Sequence, residues 1–247
     1  MPYTNNRTTR IHYQLEGSGP PLVLQHGYTS SIERWYECGY VECLKAHFQL
    51  ILIDARGHGL SDKPHDAADY DWQKRAADII AVVDSLGIDK FHFWGYSMGG
   101  IYGYKLALLV PHRLMSLVIG GAHPYETSFS AFDGIDGKDE AAFVTAMENL
   151  LGEKFTAESN RRMLKNDLPA MIAAAGDRPS LANDLVGSEL PWFFYVGAND
   201  LRCAAIEGFS RELKNAELLK VPAMNHAEMM AAGKVVVPRV TEFLHQK

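Results

Sequence analysis

Ser97 stands in Gly95-Tyr96-Ser97-Met98-Gly99, between the apolar run 90–94 and a helical pattern over 101–110. A serine on a strand-to-helix turn, with glycine two residues away on either side, has the form of a nucleophile elbow. The bend is so tight that bulky flanking side chains would clash, and the hydroxyl projects from the sheet edge. Such a turn also leaves the Met98 N–H at a helix N-terminus, where unpaired donors and the helix dipole stabilise negative charge. Ser97 is therefore the candidate nucleophile. The competing reading is a chance G-x-S-x-G, and the strand before and helix after weigh against it.

The elements that must position this serine follow from periodicity. Residues 11–15 alternate as a hairpin strand does, and 22–25 form a short buried strand that runs into His26-Gly27-Tyr28. A helix is expected over 32–46, an apolar strand over 48–53, and then a glycine-punctuated loop over 54–62. Trp72, Ala76, Ile79, Ile80, Val83 and Leu86 keep a 3.6-residue period, with Gly87 placed to cap that helix. After the elbow and its helix comes a strand over 114–119. The strand-helix rhythm breaks over 125–188, where helical stretches at 140–151, 157–164 and 170–175 suggest an inserted helical cap. It resumes with strands at 191–196 and 217–221 and a terminal helix. Alternating short apolar strands and amphipathic helices imply an α/β fold with a mainly parallel sheet covered on both faces, ligands binding at the strands' carboxyl ends. The core then comprises 1–124 and 189–247.

Composition narrows the function. With 247 residues, 47% of them hydrophobic, the chain can bury a sizeable single core with room for a lid. No apolar run approaches the roughly 20 residues that span a bilayer. The first seven residues are too polar for a secretory signal, so a cytoplasmic protein without membrane contact is expected. A net charge of -6 with no basic cluster argues against a nucleic-acid surface. Cys38, Cys43 and Cys203 are odd in number and lack metal-type spacing, which favours free structural thiols.

Five pieces, in order, carry a resemblance to the α/β-hydrolase fold family over essentially the whole chain: His26-Gly27-Tyr28, Asp54-x-Arg56-Gly57-x-Gly59-x-Ser61, the elbow, Gly197-Ala198-Asn199-Asp200, and Asn225-His226. The resemblance implies a sheet of the eight-stranded type and a triad in chain order Ser, acid, His. Downstream of the last strand the base is His226 or His245, and His245 lies at the far end of a helix, so His226 is favoured. Asp200 occupies the family's acid position; taken alone it could equally be a helix N-cap, and His226 a loop histidine. The family's two oxyanion donors correspond to the N–H groups of Tyr28 and Met98. His26, Asp54, Arg56 and His58 read as a loop-fixing set rather than as catalytic groups.

Together these readings imply a serine esterase or lactonase that forms an acyl-enzyme on a small, largely hydrophobic substrate, with no cofactor and no metal. His123, Phe129, Phe132, Phe143 and Met147 are the candidate substrate-binding residues, with Leu150 and Met171 beside them; each could instead belong to the cap's own core. A serine at the nucleophile position disfavours epoxide and dehalogenation chemistry. Tyr96 before the serine weakens a resemblance to carbon–carbon bond hydrolases, which favour Asn there and an arginine in the cap; Arg161, Arg162 and Arg178 have no assignable place. The Ser-Met-Gly form also resembles cofactor-free perhydrolases. From a different class, some proteins of this fold act as small-ligand receptors without turnover.

Overall fold

The computed structural model describes residues 2–247. Eight strands, β1 (Tyr3–Asn6), β2 (Thr9–Glu16), β3 (Pro21–Gln25), β4 (Gln49–Ile53), β5 (Phe91–Tyr96), β6 (Leu114–Gly120), β7 (Trp192–Gly197) and β8 (Ala216–Val221), form one sheet in the order β1-β2-β4-β3-β5-β6-β7-β8. β2 runs antiparallel to β1 and β4, and every other pairing is parallel. Every residue of β5 and β7 is buried, as expected of central strands covered on both faces. This is the α/β-hydrolase fold.

Alternate residues of each strand feed opposite cores. Phe93, Ile119 and Phe194 face one side, where they meet helices α3 (Trp72–Ser85), α4 (Met98–Leu109) and α9 (Cys203–Glu212). Trp94, Val118 and Tyr195 face the other, against α1 (Glu33–Glu37), α2 (Tyr40–Leu44) and α11 (Gly233–His245). Between β6 and β7 lie α5 (Glu140–Leu151), α6 (Ala157–Met163), α7 (Leu168–Ala174) and α8 (Ala182–Leu185). Helices α5 to α7 share a third apolar cluster built on Phe132, Phe143, Met147 and Met171. Each starts on a side-chain cap, from Asp139, Thr156 and Asp167 respectively. By contrast, Leu181, Ala182 and Leu185 pack into the main core with α4's side of the sheet, although they fall within 125–188. α10 (His226–Met230) is a single short helix after β8. Among the described residues no helix is long and apolar enough to cross a membrane.

The first strand and the first helix differ from the periodicity reading. The edge strand β1 was not anticipated, because Tyr3-Thr4-Asn5-Asn6 carries little apolar signal; it forms through ladder pairing with β2. The single helix expected over 32–46 is two, broken at Gly39, whose φ of 77° is left-handed. The break lets Trp35 and Tyr40 turn toward the same core, edge to face at 5.0 Å. A Cβ on Gly39 would meet no atom within 4 Å, so the cost of adding one is conformational alone. Gly39→Ala is expected to lower stability by about 1 kcal/mol in a denaturant titration. An unchanged midpoint would mean that the two helices can merge without loss.

Candidate active site

Ser97 is held at φ 54°, ψ -116° between β5 and α4. Its neighbours make that turn possible by having no side chains: a Cβ on Gly95 would fall 2.2 Å from the Gly99 carbonyl oxygen, and one on Gly99 2.1 Å from that of Gln25. The Ser97 N–H donates to the Gly120 carbonyl at 2.8 Å, so the elbow remains tied to β6. Gly27, at the end of β3, has Ser97 Cβ 3.3 Å from where its own Cβ would lie, which brings the Tyr28 loop against the serine.

The structure brings Ser97, His226 and Asp200 together. His226 Nδ1 lies 2.7 Å from Asp200 Oδ2, and Nε2 lies 3.0 Å from Ser97 Oγ. A carboxylate can only accept, so the proton sits on Nδ1 and Nε2 is free to accept from the serine. Asp200 follows β7, and His226 opens α10 behind the N-cap Asn225, which forms a capping box with Glu228. Tyr96, beside the nucleophile, donates its hydroxyl to the His226 carbonyl and lays its ring 5.1 Å from the imidazole. Burial alone would raise the Asp200 pKa; the hydrogen bond and charge of His226, followed by Arg202, hold it down at about 2. Arg202 donates to Asp200 Oδ1 from its backbone N–H at 3.0 Å and from Nη1 at 3.2 Å, and reaches the Leu150 carbonyl of α5 through Nη2.

Neither the Tyr28 nor the Met98 N–H donates to an acceptor among the described residues, and both residues line the cavity beside Ser97. The Tyr28 loop is fixed from behind. His26 accepts from the Ala55 N–H at 3.1 Å and donates to the Gly27 carbonyl at 2.8 Å. His58 accepts from the Thr29 N–H at 3.2 Å and donates to the Arg56 carbonyl at 3.0 Å. Asp54 collects the N–H groups of Ile32 and Leu60 and the His12 imidazole, while Arg56 forks onto Asp78 at 2.6 Å. The side chains of His26, Asp54, Arg56 and His58 fix loops and stand outside the wall of the cavity around Ser97.

The cavity is about 210 Å³. His123, Phe129, Met147 and Leu150 stand in its wall. Phe132, Phe143 and Met171 do not: Phe143 and Met171 are fully buried in the third cluster, and Phe132 packs edge-on to Phe143 at 5.6 Å. Contrary to the expectation from sequence, the shared core of α5 to α7 claims these three, and they do not face the substrate cavity. Sequence spacing leaves Arg178 unplaced and misses Arg202, and both stand in the wall; Arg202's position two residues after the acid was the available signal.

A family profile described as alpha/beta hydrolase fold matches residues 20–166, more than half of the chain. The chain belongs to the alpha/beta hydrolase fold family. A Bacillus subtilis (strain 168) protein provisionally named 2-succinyl-6-hydroxy-2,4-cyclohexadiene-1-carboxylate synthase is 26% identical over 95% of both chains. A Synechocystis sp. protein provisionally named a non-heme chloroperoxidase is 28% identical over 99% of this chain and 100% of its own. The enol-lactonase of Burkholderia xenovorans LB400 superposes with a TM-score of 0.86 at 21% identity, covering 99% of this chain and 100% of the other, a likeness of fold.

Burial lowers the pKa of His26 and His58 below the ordinary 6.5, and takes His92 and His123 to about 4. The unfolded chain then binds more protons than the fold between pH 6.5 and about 4, so stability held above pH 6.5 is lost as pH falls through that window. At about 1.4 kcal/mol per pKa unit, His92 alone contributes on the order of 3 kcal/mol. Melting temperatures should drop steadily from pH 7 to 4.5; a flat profile would contradict neutral buried imidazoles.

Proposed function

We propose that the protein is a serine hydrolase that cleaves a small, largely hydrophobic carboxylic ester or lactone through an acyl-enzyme. The observation that carries this reading is the unbroken hydrogen-bond chain from Asp200 through His226 to Ser97, set beside two unpartnered N–H groups. In the first half-reaction Ser97 Oγ attacks the carbonyl carbon as its proton passes to His226 Nε2, and Asp200 stabilises the imidazolium. The N–H groups of Tyr28 and Met98 receive the developing oxyanion. Collapse breaks the bond to the leaving oxygen, which takes the proton from His226. Water then gives its proton to His226 and its oxygen to the acyl carbon; the acid departs and Ser97 regains its proton.

The 125–188 segment, apart from Leu181, Ala182 and Leu185 in the main core, acts in this reading as an inserted cap over the site, which accounts for the small cavity and its walls of Phe129, Met147 and Leu150. A second reading, in which hydrogen peroxide replaces water and a peracid leaves, is favoured by one finding, the full-length likeness to the Synechocystis protein.

A fluorophosphonate probe should label the intact protein once and leave Ser97→Ala unlabelled. His226→Ala should lose on the order of 10⁴-fold in kcat, and Asp200→Asn somewhat less, because the three act as a unit. Labelling elsewhere would refute the nucleophile. Short-chain or cyclic esters should be cleaved far better than long-chain triglycerides. Specificity that keeps rising beyond about ten acyl carbons would overturn the closed-cap reading.

A further inference from the structure

Among the described residues Arg178 is a buried cation without a counter-charge. It is 8% exposed, and a two-residue bridge to Thr127 pins its backbone. All its side-chain hydrogen bonds leave from Nη2 and end on neutral oxygens: the His123 carbonyl at 3.2 Å, the Tyr125 carbonyl at 3.0 Å and Thr127 Oγ1 at 2.5 Å. Nε has no acceptor among the described residues. Burial lowers its pKa to about 10, which leaves it charged at neutral pH, and the charged side chain nearest in effect is another cation, Arg202. Desolvating a charge is costly unless a partner of opposite sign is supplied.

The rest of the wall does not supply one. Arg34, Arg75, Arg162, Arg178 and Arg202 all line the cavity, and among the described residues no Asp or Glu does. Three of the five are spent: Arg34 and Arg162 share Glu37, each at 3.0 Å, and Arg202 holds Asp200. Arg75 rests on the Tyr70 and Ala174 carbonyls and 4.3 Å above the Trp72 ring. Next to Arg178, His123 also lines the cavity, and its buried Nδ1 has no partner among the described residues.

We propose that the substrate of the Ser97 site carries a carboxylate, remote from the bond that is cleaved, which pairs with Arg178 beside His123. This rests on the hydrolase reading and names its substrate class: short esters or lactones that end in a carboxylate. The small volume, largely bounded by apolar side chains, favours a compact carboxylate over a bulkier phosphate ester.

Matched pairs test it: monomethyl glutarate against methyl pentanoate for a charge in the acyl part, and 4-acetoxybutanoate against butyl acetate for one in the alcohol part. Each pair differs only by carboxylate for methyl. In one pair at least, the carboxylate ester should have the higher kcat/KM by about tenfold or more, and Arg178→Gln should cut that ratio by about the same factor, with Arg178→Lys intermediate. Independently of turnover, glutarate should raise the melting temperature of Ser97→Ala and glutaramide should not, an effect that Arg178→Gln added to that variant removes. The glutarate arm on Ser97→Ala alone needs no change at Arg178, so it stands even where the arginine variants do not fold. Turnover of the neutral esters with no carboxylate preference and no glutarate effect would overturn the proposal and leave the hydrolase reading intact. Arg178-dependent glutarate binding without turnover of any ester would do the reverse. Inorganic phosphate that matches glutarate would show an unselective anion site and overturn the carboxylate assignment.

Discussion

The left-handed turn at Ser97 is the constraint on which the rest depends. A non-glycine residue at φ 54° is strained, and strain of that kind persists only where the surroundings over-determine it. Here the glycines at 95 and 99 let α4 descend onto β5 and β3 so closely that a single methyl at either would collide with backbone. The ladder to β6 and the full burial of β5 then hold the turn from below. What results is a hydroxyl fixed at the rim, next to the first free N–H of a helix.

Around it, hydrogen-bond direction has been settled by what each partner can and cannot donate. Asp200 accepts only, which orders the imidazole; His26 and His58 each accept a backbone N–H with one nitrogen and give a proton to a carbonyl with the other. Burial lowers the pKa of His26 and His58 and keeps both rings neutral. The loop-fixing histidines and the one facing Ser97 are therefore the same chemical group put to different uses by the partners that surround them.

The helices between β6 and β7 are coupled to the same machinery. Tyr28 reaches the Met171 carbonyl in α7 with its hydroxyl at 2.6 Å and meets Phe129 and Phe132 edge-on, while its backbone lies beside Ser97. Arg202 connects Asp200 to α5. Displacing those helices would disturb the loops on both sides of the serine at once.

The amino-acid sequence by itself determined the parts that depend on local geometry. Periods of 2 and 3.6 marked the central strands and longer helices, the glycine spacing marked the elbow, and five motifs in order marked the family. It did not reveal β1, whose four residues have little to bury, or the break at Gly39, where glycine permits a turn without demanding one. Only the tertiary structure decided which aromatic residues of the 125–188 segment face the cavity. Phe129 and Phe143 have the same chemistry, and packing among α5, α6 and α7 sends one to the wall and the other to the helices' own core. The same holds for Arg178: in sequence it is an arginine in a polar stretch, and its meaning comes from being enclosed with neutral oxygens and no carboxylate, a property of the assembled interior that no spacing encodes.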